Sequence, residues 1–457
     1  VPGVPQAKRQ PALSFVVASR PLWMSKFEIQ VLKNQATALF QNIWIWFLRA
    51  VVRLPPPPFI SALTWPTVPG REAAKGEGPP QTDKERCVCV EIVGPGGVDR
   101  IQARSHCWAT CGYDLMKEFD GSQRIPTPVS QMPPGLVVLR NSAFSINYAD
   151  ICIRWGLYES ALRYVGWPII PGFDVAGVVE AAAPDTGYKP DDRVYGCTLF
   201  GGYSSRVVTS SRMLMRVPEG MSFEAAACIP AAAGTALHAA ALAGLWPSEP
   251  VGNCKSCLVH SAAGGVGDML CQVLRLRGLR VVGVVGSASK VSECGADVVI
   301  DKSATDWVAE ARRASPEGYR AVFDANGVST LSKSYDLLCR NGRLVVYGFH
   351  SNLPKVDGGL GMLSPWTWLR MGADMARMPT FDPMLLTLES KAVLGFNLSF
   401  FADEHDLVAK YVRQIGEWVL AGELRPPKFQ RFAFESTRDA QAALQSGRTV
   451  GKMIVAV

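Results

Sequence analysis

The stretch from Val259 to Gly267 has the residue types and spacing of a phosphate-binding loop. It reads Val-His-Ser-Ala-Ala-Gly-Gly-Val-Gly and fits the pattern G-x-G-x-x-G with Ala262 in the first position. Glycines there permit a tight turn and let the backbone approach a pyrophosphate, whose charge meets a helix N-terminus. Because an apolar run precedes the loop and a helix-length segment follows it, a dinucleotide site is favoured over a structural turn. The loop residues Ala262, Gly264, Gly265, Val266 and Gly267 are therefore candidates for cofactor binding.

The residues after the second apolar run distinguish between dinucleotides. A site that prefers NAD usually has an acid there to hold the ribose 2′-hydroxyl. This run instead ends in Gly-Ser-Ala-Ser-Lys, and the first acid is Glu293. Small hydroxyls and a lysine suit a 2′-phosphate. The sequence therefore predicts NADPH, with Ser287 and Lys290 at the 2′-phosphate; the alternative for Lys290 is an ordinary solvated lysine.

Two different patterns surround these residues and must position them. From Cys87 to about Val217 the chain shows short strand-like runs separated by turns, and from about Ser222 strands alternate with helix-length segments. Such alternation is typical of a parallel, doubly wound sheet. The predicted strands of that sheet are 257–260, 281–285, 298–301, 321–324, 344–347 and 393–397, and the predicted helices are 266–278, 304–314, 329–339 and 404–421.

Charge is distributed unevenly along the 457 residues, whose formal net charge is +7. Residues 1–71 contain eight Lys or Arg and one acid, which leaves 39 basic and 39 acidic residues in the remainder. The neutral body gives no electrostatic basis for binding nucleic acid. Residues 1–85 therefore form a separate basic, proline-rich extension.

The extension contains one apolar segment, residues 36–52, in which Gln41, Asn42 and Arg49 interrupt the apolar residues. Its 17 residues are at the lower limit for a membrane span. Three interpretations stay open: a helix docked on protein, a peripheral membrane contact, and a residual targeting sequence. The basic, nearly acid-free composition resembles a mitochondrial presequence, so we expect a mitochondrial location, with the cytoplasm as the alternative.

The twelve cysteines are scattered rather than regularly spaced, which is typical of reduced thiols. Cys254 and Cys257 form a CxxC and Cys107 and Cys111 a CxxxC, without a second pair or histidines at zinc-ligand spacing. We expect no bound metal.

Seven further motifs accompany the phosphate loop: Asn147–Asp150, Arg154–Tyr158, Pro171–Val179, Gly234–Ala236, Gly295–Asp297, Gly342–Leu344 and Gly451–Lys452. Together with the loop they resemble the quinone oxidoreductase family of zinc-independent medium-chain dehydrogenases/reductases. The resemblance covers Cys87 to Val457. The tract from Pro365 to Leu398 is most similar to the vesicle amine transport protein branch. Where zinc-dependent relatives have Gly-His-Glu, this chain has Phe173 in place of the histidine.

The resemblance implies an α/β architecture in two domains. A GroES-like, barrel-type catalytic domain would comprise residues 86–218 and 425–457, and a Rossmann domain for NADPH would comprise residues 219–424. The active site would lie in the cleft between them. Members of the family are commonly homodimers that reduce quinones or activated carbonyl compounds.

The resemblance also implies roles for single residues. Asn147 and Thr235 would face the nicotinamide, and Gly348 and Phe349 would flank the cofactor. Tyr158 is the best candidate for a proton donor by position, although a quinone needs little acid assistance. Each also has a structural interpretation: a turn residue, a helix cap, a strand end or a packed aromatic ring.

The chain departs from the family pattern at several positions. The interval from Lys290 to Gly295 is short, Lys302 stands where a tyrosine is usual, Asp191 replaces a glycine, and residues 108–133 resemble an insertion. The primary hypothesis is an NADPH-dependent reductase of quinones or α,β-unsaturated carbonyls. The alternative is a catalytically weak or inactive reductase-fold accessory subunit of a larger, mitochondrial complex, held through residues 1–85. A third hypothesis is a membrane-peripheral lipid or vesicle protein.

Overall fold

The structure of the chain is a computed structural model that describes residues 87–106, 133–247, 253–352, 365–401 and 404–457. All of them belong to one of the two units into which the chain divides, Pro55–Val457. The predictions for residues 1–85, including the apolar segment 36–52, and for nearly all of the insertion at 108–133 lie outside the described residues.

A six-stranded parallel sheet occupies the C-terminal half of the sequence, as the alternating pattern predicts. Its strand order, β10-β9-β8-β11-β12-β13, is the 3-2-1-4-5-6 order of a doubly wound dinucleotide fold. The two central strands, Ser256–His260 and Tyr319–Asp324, are buried along their whole length because helices cover both faces of the sheet. The strands are β8 (Ser256–His260), β9 (Arg280–Val285), β10 (Val298–Asp301), β11 (Tyr319–Asp324), β12 (Leu338–Val346) and β13 (Ala392–Gly395).

A helix follows most of these strands. The helix Trp307–Ala314 has a side-chain cap, because Asp306 accepts hydrogen bonds from the Val308 and Ala309 backbone N–H groups. The helices associated with the parallel sheet are α3 (Phe223–Ala227), α4 (Pro230–Leu242), α5 (Gly265–Leu276), α6 (Trp307–Ala314), α7 (Leu331–Asp336), α8 (Pro365–Ala376), α9 (Pro383–Glu389) and α10 (His405–Leu420).

Strand β12 is longer than its sequence predicts. The helix predicted at 329–339 ends at Asp336, and the strand begins at Leu338 rather than at 344. Asn341 has a φ of +62°, and its backbone N–H bonds to Ser390 O. Arg-Asn-Gly has the sequence of a turn and forms an irregularity inside the strand. The pairing of β11 with β12 shifts register at this point.

A seven-stranded sheet is built from two distant parts of the chain. Its order is β14-β15-β3-β4-β5-β7, and β6 pairs with β3; a separate pair of strands, β1 and β2, lies nearby. The strands are β1 (Cys87–Ile92), β2 (Ile101–His106), β3 (Leu136–Ile146), β4 (Asp174–Ala182), β5 (Arg193–Cys197), β6 (Arg206–Ser210), β7 (Leu214–Arg216), β14 (Phe429–Ala433) and β15 (Lys452–Ala456). The accompanying helices are α1 (Tyr148–Arg154), α2 (Glu159–Tyr164) and α11 (Thr437–Gln445).

The last strand, β15, joins the two sheets. It pairs antiparallel with β3, and the residue before it, Gly451, forms a β-bridge with Gly264 of the phosphate loop. Gly451 has a φ of +64°, and a Cβ there would lie 1.8 Å from Lys428 O, so only glycine fits. The phosphate loop is therefore held directly against the seven-stranded sheet.

One described stretch, Phe223–Leu242, is long and apolar enough to cross a membrane. It comprises α3 and α4, most of whose residues are buried among β3, β5, α5 and α10. Its apolar composition is that of a core helix.

Candidate functional site

The phosphate loop lies between β8 and α5, and its glycines are required by close packing. Gly264 is the N-cap of α5 and has no side chain to cover the helix N-terminus. A Cβ on Gly267 would lie 2.3 Å from Ser261 O, and one on Gly265 would lie 2.5 Å from Lys452 Cδ. A larger residue at Gly265 or Gly267 would therefore displace its neighbours, and the N–H groups at this helix N-terminus form a cradle suited to an anion.

The carboxyl ends of β8 and β11 meet beside this loop. Asp324 Oδ1 accepts hydrogen bonds from the Asn326 and Gly327 N–H groups, at 2.8 and 3.1 Å, and so folds the turn after β11. Ser261 Oγ donates to Asn326 Oδ1 at 3.1 Å. Two side-chain amides here, Asn326 Nδ2 and Asn352 Nδ2, are buried without a hydrogen-bond partner among the described residues. Buried donors without partners are costly, which suits a ligand that supplies acceptors.

At the end of β9, two lysines approach the predicted 2′-phosphate position. Lys290 lies in a short 3-10 turn, Ala288–Lys290, and its Nζ donates to Gly447 O at 2.6 Å. Burial, with a smaller contribution from the positive charge of Lys302, lowers the pKa of Lys290. Ser287 Oγ lies 3.0 Å from Ser289 Oγ. The short connection from β9 to β10 thus brings two lysines, Lys290 and Lys302, close to the small hydroxyl group of Ser287.

Asn147 is the N-cap of α1, and its side chain is fixed at both ends. Its Oδ1 accepts a hydrogen bond from Lys452 Nζ at 2.6 Å, and its Nδ2 donates to Asp174 Oδ2 at 2.8 Å. A capping box with Asp150 satisfies the first turn of the helix. Asn147 thus lies where the C-terminal strand, β4 and α1 converge, beside the phosphate loop.

Asp150 lies fully buried behind Asn147. Its Oδ2 accepts hydrogen bonds from the Asn147 N–H at 2.7 Å and Tyr203 OH at 2.9 Å, and its Oδ1 from the Gly172 N–H at 3.2 Å. Burial raises the pKa of Asp150 to about 7, although these donors and the charge of Lys452 favour the carboxylate. Its contacts hold the backbone of Asn147 in place.

Thr235 and Tyr158 are both engaged with the protein. Thr235 Oγ1 donates to Ala231 O one turn earlier in α4, at 2.7 Å, so it is a mid-helix residue rather than a cap. Tyr158 OH donates to Asn397 Oδ1 at 2.9 Å, and its ring packs edge-on against Phe173. Burial raises the pKa of Tyr158, which makes its hydroxyl a weaker acid. The contact with Asn397 also ties α2 to the residues that follow β13.

Gly348 and Phe349 follow β12 and lie next to the turn after β11. A Cβ on Gly348 would lie 2.9 Å from Ala325 O, and Gly327 is in close contact with Phe349. The Phe349 side chain is 47% exposed. The next residue, His350, packs its ring on Tyr148 with centroids 3.9 Å apart, so this segment contacts α1.

The position at which zinc-dependent relatives have a ligand is apolar in this chain. Phe173 packs against Phe200, with ring centroids 5.2 Å apart, and against Tyr158. Across the described ranges, His, Cys, Asp and Glu side chains form no group of three that could hold a metal. The prediction that no zinc is bound stays a prediction.

Two family models match the chain. An alcohol dehydrogenase GroES-like domain matches residues 133–219, and a domain described as zinc-binding dehydrogenase matches residues 294–455. The human synaptic vesicle membrane protein VAT-1 homolog is 30% identical over 372 residues, which cover 80% of this chain and 86% of the relative. A probable quinone oxidoreductase of Schizosaccharomyces pombe is 28% identical over 343 residues, 73% of this chain and 91% of the relative.

Solved structures share the fold. The human VAT-1 homolog-like protein has a TM-score of 0.60 at 22% identity, covering 82% of this chain and 98% of that one. Escherichia coli quinone oxidoreductase complexed with NADPH has a TM-score of 0.62 at 23% identity, covering 81% and 100%. The chain belongs to the quinone oxidoreductase-like, zinc-independent family of medium-chain dehydrogenases/reductases, and its fold is the expected GroES-like domain with a Rossmann sheet.

The sequence did not single out several residues that the structure brings to the site. Asn326, Asn352 and Asp174 were not proposed as site residues, and Lys302 and Lys452 were noted only as a departure and as part of a motif. Asn326 could have been found, because it directly follows a strand of the parallel sheet, where ligands bind in such folds. Asn352 and the pairing of Lys452 with Asp174 depend on long-range contacts that sequence spacing does not indicate.

Proposed function

We propose that the chain is an NADPH-dependent reductase of quinones or α,β-unsaturated carbonyl compounds. The observation that carries the proposal is the glycine cradle at α5 together with the lysines at the end of β9. The cradle suits a pyrophosphate, and the segment after β9 carries Ser287 and Lys290 with no acid before Glu293. The S. pombe relative named above is described as a probable quinone oxidoreductase, which supports the reaction class.

The residues fit a nicotinamide dinucleotide phosphate. Gly264, Gly265 and Gly267 would hold the pyrophosphate, and Ser287 with Lys290 would hold the 2′-phosphate. The amides of Asn326 and Asn352 lie in the turns beside this site, and among the described residues neither Nδ2 group has an acceptor. We add Lys302 to the 2′-phosphate group because its charge lowers the pKa of Lys290 and its side chain passes the end of β9 at Gly286.

The nicotinamide end would be held by Asn147 and Thr235 on one side and by Gly348 and Phe349 on the other. When bound, NADPH supplies a hydride to an electron-poor substrate. The protein's part is to orient the reactants and exclude water, which can account for a large share of the rate. A quinone accepts a hydride without strong acid assistance, and Tyr158, the proton-donor candidate, is a weak acid whose hydrogen is bonded to Asn397.

The test is consumption of NADPH by the full chain with a panel of quinones and enones. The proposal predicts turnover with at least one class of acceptor, faster with NADPH than with NADH. Lys255→Met is a suitable control variant, since Lys255 is exposed and directly precedes β8, at the edge of the sheet opposite the phosphate loop. If the protein binds NADPH but consumes none with any acceptor, the reductase proposal is wrong and the cofactor proposal stands alone.

A further inference from the structure

Lys452 is a buried lysine at the point where the two sheets meet. It is 5% exposed, and its partner Asp174 is fully buried. Its Nζ lies 3.3 Å from Asp174 Oδ2 and 2.6 Å from Asn147 Oδ1. A charge is kept in the interior only where it is paired and hydrogen-bonded, so such a pair requires an explanation.

The rest of the side chain contacts the phosphate loop. The Lys452 Cδ and Cγ atoms lie so close to Gly265 that a Cβ there would be 2.5 and 2.9 Å from them. The backbone is fixed as well, because the Gly451 N–H donates to Ala263 O at 2.9 Å. Lys452 therefore connects the loop to Asn147: its methylene groups contact the loop at Gly265, and its ammonium group bonds to Asn147.

Asp174 extends this contact to two further elements. Its Oδ1 accepts a hydrogen bond from the Ala231 N–H at 2.6 Å, near the start of α4, one turn before Thr235. Its Oδ2 accepts from Asn147 Nδ2 at 2.8 Å, from Ser145 Oγ and from Lys452 Nζ. Both residues expected at the nicotinamide, Asn147 and Thr235, are thus tied to the same carboxylate, one directly and the other through its helix.

The two charges determine which way the Asn147 amide points. The ammonium group needs the amide oxygen as acceptor, and the carboxylate needs the amide NH₂ as donor. A flipped amide would set the NH₂ group against Lys452 and the oxygen against Asp174, which is unfavourable at both ends. The pair therefore fixes one orientation of a side chain that would otherwise have two.

We propose that Lys452 is a positioning residue: with Asp174 it fixes the Asn147 carboxamide and sets its distance from the phosphate loop. The inference rests on the proposed function, because it concerns the nicotinamide end of that site. Lys452 acts through Asn147 and the loop, so its loss is expected to impair the reaction more than the binding of NADPH.

Lys452→Met tests this, since methionine keeps much of the apolar stem and loses the charge. We expect kcat to fall about 100-fold, the loss that a misplacement of about 1 Å brings, while Kd for NADPH changes much less. Lys452→Arg, which keeps a charged donor, is expected to recover part of kcat. Lys255→Met is the matched control at an exposed lysine, which lies before β8 and away from the phosphate loop, and is expected to keep the wild-type kcat.

A double-mutant cycle separates positioning from a merely structural role. In an Asn147→Ala background, Lys452→Met is expected to have little further effect on kcat; an equal fall in both backgrounds overturns the inference. So does a wild-type kcat in Lys452→Met, or a loss confined to Kd. If Lys452→Met does not fold by thermal melting, Lys452→Arg in the same two backgrounds decides by the same criterion. A wild-type protein that neither binds nor consumes NADPH contradicts the proposed function instead.

Discussion

At the residue scale, the proposed preference for NADPH over NADH depends on a few side chains at the end of β9. The sequence supplies two serines and Lys290 there, and the structure adds Lys302. Lysine binds phosphate as a point charge and needs no fixed geometry to do so. A 2′-phosphate would thus be attracted mainly by charge, which makes the preference sensitive to charge reversal.

Lys290→Glu is expected to narrow or invert the preference for NADPH. A hydrogen bond to a charged group contributes about 1.5–3 kcal/mol, so affinity for NADPH is expected to fall about 10- to 100-fold, with NADH affected little. Calorimetric titration with both dinucleotides measures this. Equal affinities for NADPH and NADH in the wild type, unchanged by the substitution, would show that no 2′-phosphate site exists here.

Tyr158→Phe tests whether the tyrosine is a proton donor or a packed ring. A general acid contributes about 10²- to 10⁴-fold to a rate, whereas a lost hydrogen bond costs about 1 kcal/mol of stability. Because the hydroxyl bonds to Asn397 and burial raises its pKa, we expect a small loss of stability and a change in kcat of less than about tenfold. A fall of kcat by 100-fold or more, with normal stability, would assign the proton to Tyr158.

At the element scale, the sequence predicted the parallel sheet well because each of its strands is a short, nearly continuous apolar run. The start of β10 at Val298 and its end at Asp301 agree with the prediction, and α5 begins within one residue of it. The phosphate loop was predicted for the same reason: its chemistry is local. What could not be predicted is non-local, such as the first half of β12, whose Arg-Asn-Gly bonds to the distant Ser390.

Helix α4 provides a pH prediction, because a histidine lies in its buried face. His238 is 5% exposed, is surrounded by the rings of Phe396, Phe401 and Tyr411, and has its Nδ1 2.8 Å from Tyr411 OH. Burial lowers its pKa below the ordinary value of 6.5. As the pH falls below 6.5, the unfolded chain gains a proton at this residue that the folded chain does not, so the free energy of unfolding falls.

His238→Gln removes that proton and can keep a hydrogen bond to Tyr411. The variant is expected to lose stability on its own account, but its free energy of unfolding should fall less steeply than that of the wild type below pH 6.5. Denaturant unfolding at a series of pH values measures both slopes, and His405→Gln, at an exposed position, is the matched control. Identical slopes for wild type and His238→Gln would mean that His238 takes up its proton as readily in the folded chain as in the unfolded chain, which would contradict the prediction.

At the scale of the whole molecule, the two sheets share one hydrophobic core, to which α3 and α4 contribute, and specific contacts join them as well. Strand β15 meets the phosphate loop at Gly451, and Tyr158 bonds to Asn397. The predicted domain boundaries at 218 and 425 remain predictions, but each sheet takes its strands from the expected side of them. A site between two such sheets is sensitive to any residue that changes their separation.

Deletion of residues 1–85 is expected to leave a folded body that binds NADPH, because the family resemblance begins at Cys87. Apolar residues 36–52 and the basic charge around them are instead expected to mediate association with a protein partner or a bilayer. Size-exclusion mass and thermal midpoint of the full and truncated chains measure this. A truncated chain that does not fold would place the extension in the core, and a full chain with no associated partner or lipid would remove the assembly hypothesis.

The central claim is that the cradle at the start of α5 holds NADPH, and calorimetric titration of the full chain with NADPH tests it most directly. Gly267→Ala is the informative variant, since its Cβ would lie 2.3 Å from Ser261 O, and Gly372→Ala in α8, where a Cβ meets nothing within 4 Å, is the matched control. The account predicts saturable binding, tighter for NADPH than for NADH, that Gly267→Ala weakens at least tenfold and Gly372→Ala leaves unchanged. No heat of binding for the folded wild type, or equal binding by Gly267→Ala, would contradict it.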